Sequence, residues 1–190
     1  WGIGDFPFYY VQLPNWNNDG DRSSNSWAFF REGQANILKV TNTGMAVTID
    51  IGDASNIHPK NKQEAGHRLA LIALANTYHQ ALVYQGPQFS ESESDGAALK
   101  IYFKHTDGGL VSRGGALKSF SIAGADKKWH PAAARIEGDT VIVSSLEVVV
   151  PVAARYGWEN NPDCNLYNGA GLPAMPFRTD HWRDGNGQPP

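Results

Sequence analysis

Cysteine is almost missing from this chain of 190 residues: Cys164 stands alone. A lone thiol excludes an internal disulfide and any cysteine-based zinc cluster. Positive charge is not concentrated anywhere either. Sixteen lysines and arginines face nineteen acids, for a formal charge of -3, so the electrostatic footprint of a nucleic-acid binder is absent. Long apolar runs are lacking too. The longest, near Leu69 to Ala75, falls far short of the roughly 20 residues a membrane span needs. The opening Trp1-Gly2-Ile3-Gly4-Asp5 carries neither the basic start nor the apolar stretch of an export leader, so export is not legible in it.

What is present is apolar and aromatic. A 41% apolar fraction is ample for a packed core, and six tryptophans, seven tyrosines and eight phenylalanines suit either a sugar-facing surface or the interiors of packed sheets.

The pattern changes part-way along. Up to about residue 82, strand and helix signals alternate. Phe8 to Leu13 reads as a buried strand stopped by Pro14. Ser26 is a candidate N-cap for a helix from Trp27 to about Lys39, with Phe30, Ala35, Ile37 and Leu38 as its apolar stripe. Asn42-Thr43-Gly44 turns the chain into Met45 to Ile49, a second buried strand. A loop from Asp50 to Pro59 then leads to a helix from about Asn61 to Tyr78, expected to be mostly covered. Such a βαβα order implies a parallel sheet with both faces covered, which two strands cannot complete alone.

From 83 to 190 the signals become those of antiparallel β-structure. Leu99 to Phe103, Phe120 to Ala123 and Thr140 to Val143 are short strands, with a further one across Val148 to Tyr156. They are punctuated by Thr106-Asp107-Gly108-Gly109, Arg113-Gly114-Gly115 and Glu137-Gly138-Asp139. Gly157 to Pro190, rich in Asn, Gly and Pro, is expected to run over the surface as an irregular tail. The division is therefore 1–82, an α/β part, and 83–190, a β-sandwich with that tail.

In an open parallel sheet ligands bind beyond the carboxyl ends of the strands, so the loops after Leu13 and after Asp50 should share one functional edge. That brings Asn15, Trp16, Asp53 and His58 together. An imidazole in a loop stiffened by Pro59 suits a general base, although a lone loop histidine is more often solvated or bonded to backbone. The other five histidines, His67, His79, His105, His130 and His181, show no metal-site spacing. Cys164, with no basic neighbour in sequence, reads as an inert thiol.

Gly44 to Asp53, followed by Ile57-His58-Pro59-Lys60-Asn61-Lys62-Gln63, resembles the signature of bacterial sialate O-acetylesterases. Pro7 to Leu13, Arg31-Glu32-Gly33-Gln34, Asp107 to Leu110, Ala123 to Asp126 and Pro176 to Asp180 resemble that family in the same order, so the likeness runs from about Pro7 to Trp182.

The resemblance implies an α/β fold: the C-terminal half of an SGNH (GDSL-like) hydrolase parallel-sheet domain, followed by an antiparallel β-sandwich. It implies a periplasmic or extracellular carbohydrate O-acetylesterase, acting on O-acetylated sugars by serine–histidine acyl transfer, with no metal and no organic cofactor. His58 matches the family histidine. The family's serine block and Gln-Gly-Glu block do not occur in the chain, so the serine is expected from an N-terminal half of the same enzyme or from a second chain. Ser23 and Ser24 sit in a polar loop without a nucleophile's setting.

Where many such hydrolases have Asp three residues before the histidine, this sequence has Ser55. Asp53 is then the nearest acid to orient His58, and a dyad held by a backbone carbonyl is an equal alternative. Asp53 could instead form an Asx-turn. Asn15 and Trp16 could line the sugar pocket or pack the loop. Arg31 and Gln34 could bond sugar hydroxyls, with structural bracing the competing role. A non-catalytic carbohydrate-binding remnant is the alternative for the whole chain.

Overall fold

The computed structural model describes residues 2–17 and 25–182. Ser23 and Ser24 lie outside the described residues. The chain begins with strand β1 (Phe8–Val11), helix α1 (Ser26–Asn36), strand β2 (Thr43–Ala46) and helix α2 (Lys62–Asn76). Strands β1 and β2 pair in parallel, Tyr9 opposite Gly44 and Val11 opposite Ala46. Strand β2 carries Gly44 because α2 lies directly on it: a Cβ there would come within 2.5 Å of Ile72 Cγ2.

Both helices depart from the expected pattern. Helix α1 turns Ala28 and Arg31 inward and leaves Phe30 exposed, while Ile37, expected on its stripe, lies beyond its end and is exposed as well. The small Ala28 lets the helix approach and the long Arg31 reaches past it, a pairing that apolar periodicity does not register. Ser26 is not the cap; Asn25 is, and it makes no side-chain cap bond. The orphan Trp27 N–H at the helix start is instead met by Asn160 Oδ1 at 3.1 Å. Helix α2 does have a local cap, Asn61 Oδ1 accepting from the Glu64 amide at 3.1 Å. It buries only Arg68 and Ile72, so it is less covered than expected. Strand β1 is likewise only half-buried, with Phe8 and Val11 exposed.

The rest of the chain is β-structure: β3 (Gln88–Asp95), β4 (Ala98–Lys104), β5 (Leu110–Ser112), β6 (Phe120–Ala123), β7 (Trp129–Pro131), β8 (Ala133–Glu137), β9 (Thr140–Ser144), β10 (Ala153–Tyr156), β11 (Leu166–Asn168) and β12 (Phe177–Arg178). One antiparallel sheet runs β3-β4-β9-β8 and another β12-β10-β6-β7, with β11 and β5 as a separate pair. The fold is mixed α/β, with few helices and several antiparallel sheets. Leu99, Ile101, Val141 and Val143 from one large sheet share a buried cluster with Phe120, Ile122, Ala154 and Tyr156 from the other. Each of the Leu, Ile, Val and Phe side chains contributes about 1.5–3 kcal/mol by leaving water. Ile49, fully buried just beyond β2, belongs to the same cluster.

From Gly157 to Trp182 the stretch is not a surface tail, and residues 183–190 lie outside the described residues. Trp158, Cys164 to Asn168, Leu172, Ala174, Phe177 and Asp180 are buried. Its asparagines make this possible, because their amides satisfy backbone groups that the interior would otherwise leave unpaired. Asn165 donates to the carbonyls of Arg113 and Ala116 at 3.0 and 2.8 Å. Asn168 does the same for Gln85 and His105 at 2.9 and 3.1 Å. Arg155 and Asp180 form a two-pronged ion pair at 2.8 and 2.9 Å, both nearly inaccessible.

Candidate active site

Parallel pairing sets the ends of β1 and β2 side by side, and the two following loops are bonded across the gap. Thr48 Oγ1 donates to the Gln12 carbonyl at 2.6 Å. Asn15 Oδ1 accepts from the Gly52 amide at 2.8 Å, and Asn17 N donates to the Ala54 carbonyl at 3.1 Å. Gly52 is required there, since a Cβ would stand 2.1 Å from the Asn15 carbonyl oxygen. The other end of the Asn15 amide donates to Asn161 Oδ1 at 2.9 Å, so one side chain ties both strand-end loops to the segment after Gly157. Between them lies a recess of about 240 Å³ whose lining includes Asn15, Asp50, Ala54, Asn161, Asp163 and Cys164.

Its buried wall is an ionic group. Asp50 takes two bonds from Arg68, at 2.6 and 2.8 Å, and one from the Tyr167 hydroxyl at 3.0 Å. Arg68 also donates to Glu64 and to the Val47 carbonyl. Burial first, and then the Asp50 carboxylate, push the Tyr167 hydroxyl well above its ordinary value, so it remains a donor. Cys164, also in the lining, is pushed up to about 12 by burial, which leaves it a neutral thiol.

The His58 loop folds on its own short-range bonds. Asp53 Oδ1 accepts from the Ser55 amide at 2.9 Å and from its hydroxyl at 2.7 Å, while Oδ2 lies 3.7 Å from Lys60 Nζ. The Ser55 bonds, with a smaller contribution from Lys60, hold Asp53 below the usual carboxylate value. Three residues on, the turn repeats: Asn56 Oδ1 accepts from the His58 amide at 2.9 Å and stands 3.3 Å from His58 Nδ1. The imidazole is exposed. Asp53 and His58 thus share a loop, but the carboxylate is engaged by Ser55 and Lys60, and the ring nitrogen meets Asn56.

Trp16 sits at the edge of this region, its amide donating to the Asn160 carbonyl and its ring edge-on to Trp27 at 5.2 Å. Arg31 lies behind it. Its guanidinium, pushed down to about 10 by burial and so still charged at neutral pH, donates to the carbonyls of Pro14, Gly157, Glu159 and Asn160. Gln34 bonds the outer edge of β1, its oxygen accepting from Leu13 N at 2.8 Å and its nitrogen donating to the Val11 carbonyl at 3.2 Å. The structure therefore brings Asn15 to the His58 loop and sets Arg31 and Gln34 behind it, on backbone groups. The sequence reading missed Asn56, Asn160 and Asn161. Asn56 carried a legible signal, an Asx residue two positions before the histidine; the other two lay in the presumed tail.

No family model matches the chain. A carbohydrate acetylesterase from Xanthomonas citri, known as a crystal structure, superposes with a TM-score of 0.88 at 49% identity over 93% of this chain. The chain is a relative of the carbohydrate acetylesterases. Among these, the sialate O-acetylesterase of Mus musculus is 30% identical over 195 residues, or 90% of this chain. That of Homo sapiens is 30% identical over 159 residues, or 73% of it. The chain spans 41% of the Xanthomonas acetylesterase, and 35% and 29% of the two mammalian sialate O-acetylesterases.

Proposed function

We propose that this chain is part of a carbohydrate O-acetylesterase of the SGNH type and supplies its general base, His58. The observation that carries the reading is the His58 loop itself, set at the carboxyl edge of a parallel strand pair in a chain 49% identical to a carbohydrate acetylesterase. A serine on the remainder of the enzyme, preceding this chain or on a second polypeptide, attacks the acetyl carbonyl while His58 takes its proton. His58 returns that proton to the departing sugar oxygen, and water repeats the cycle to release acetate. The recess beside Asn15 and Asn161 accepts part of an acetylated sugar, with amide groups matched to hydroxyls. The half-exposed parallel pair supports a neighbouring half-domain, and action on extracellular or periplasmic glycans fits such a substrate.

Acetate release from an O-acetylated oligosaccharide tests this, comparing the 190-residue chain with the longer polypeptide that includes the serine block. Turnover confined to the longer form is expected. Glycan binding without turnover by the longer form would contradict the assignment and favour a binding remnant.

A further inference from the structure

The loop that presents His58 contains a carboxylate, and that carboxylate is engaged elsewhere. Asp53 Oδ1 holds two bonds from Ser55 and Oδ2 faces Lys60. The atom facing His58 Nδ1 is the side-chain oxygen of Asn56, at 3.3 Å. Which end of that amide is oxygen is settled by a second bond, since the same atom stands 2.9 Å from the His58 backbone nitrogen. A backbone N–H can only donate, so the amide atom that meets it must accept. An acceptor beside Nδ1 requires the proton of the neutral ring to sit on Nδ1, which leaves the lone pair on Nε2. That is the tautomer a base needs to take a proton through Nε2.

We propose that Asn56 is the positioning residue of the His58 imidazole, fixing the Nδ1–H tautomer through a neutral amide oxygen in place of the carboxylate that serves this purpose in a Ser-His-Asp triad. The proposal rests on the reading of His58 as the base and adds the group that orients it. A separation of 3.3 Å is long for such a bond, as it often is before substrate closes a site. The amide gives direction without adding a negative charge beside the ring.

The test reads the ring directly. In 15N-labelled chain, two-bond 1H–15N correlations report which imidazole nitrogen carries the proton. The Nδ1–H form should dominate for His58 in the wild type and in Asp53→Asn. It should give way to the Nε2–H form favoured by free histidine in Asn56→Ala and Asn56→Ser. Serine keeps the backbone turn but is too short to reach the ring, so it separates orientation from folding. In the longer, serine-bearing polypeptide, Asn56→Ala should lower kcat about 10- to 1000-fold with KM little changed, and Asn56→Asp should restore turnover. A wild-type ring in the Nε2–H form, or a tautomer that responds to Asp53→Asn and not to Asn56, would overturn the positioning role while His58 stayed essential. Full turnover in His58→Ala would instead overturn the base assignment and this proposal with it.

Discussion

Arg178 grips Glu32 with two parallel bonds, Nε to Oε1 at 2.7 Å and Nη2 to Oε2 at 2.8 Å, and so fastens the last strand to the first helix. The guanidinium is nearly inaccessible, the carboxylate partly open to solvent. Glu32→Ala strands a buried cation, which costs about 3 kcal/mol in comparable pairs. Arg178 keeps the Trp182 carbonyl at 3.1 Å and Asp180 at 3.7 Å, so a loss of about 2 kcal/mol is expected by urea unfolding. A change below about 0.5 kcal/mol, the scale of ordinary surface substitutions, would show that the clasp contributes nothing.

Gln34 stands in for a strand. Its amide bonds Leu13 N and the Val11 carbonyl as a neighbouring backbone would, closing an edge that would otherwise be open. Gln34→Met removes both bonds at similar volume. A loss of about 1–2 kcal/mol is expected, together with faster hydrogen exchange at the Leu13 amide.

Gly52→Ala forces a Cβ to within 2.1 Å of the Asn15 carbonyl oxygen. The two loops must separate, at a cost of about 1–3 kcal/mol. Gly66→Ala on α2 is the control, because a Cβ there meets nothing within 4 Å, and it should stabilise by about 0.5–1 kcal/mol through helix propensity. Thermal melts of the two variants should move in opposite directions.

Much of the β-structure was legible because it is patterned. Leu99 to Phe103 and Thr140 to Val143 fall within β4 and β9, and Phe120 to Ala123 is β6. Strand β3 was not, for its Ser and Glu residues face solvent and supply no apolar alternation. The Asp95-Gly96 turn that closes it, with Gly96 at φ +60°, was the available sign. The segment after Gly157 misled because Asn and Gly usually mark loops. Here Asn165 and Asn168 carry internal bonds that no composition reveals. At the site, the adjacency of the Asn15 and Asp50 loops followed from parallel pairing alone. The division of labour between Asp53 and Asn56 depends on distances of a few tenths of an ångström, which spacing cannot resolve.

Burial holds the Cys164 thiol up to about 12 in the folded chain, from an ordinary value of 9.0. The folded state therefore keeps a proton that the unfolded state releases first, and stability should fall as pH rises from about 9 towards 12. The slope from this group is at most about 1.4 kcal/mol per pH unit. Cys164→Ala should flatten it. The native thiol should also resist alkylation at pH 8 and react once the chain is unfolded.

The most direct test of the account is acetate release by a longer polypeptide that adds the proposed serine segment and carries His58→Ala. Loss of the base should cut kcat by about a thousandfold or more, with the protein still folded by circular dichroism. Turnover within tenfold of the wild type would contradict the assignment of His58 as the group that activates the serine.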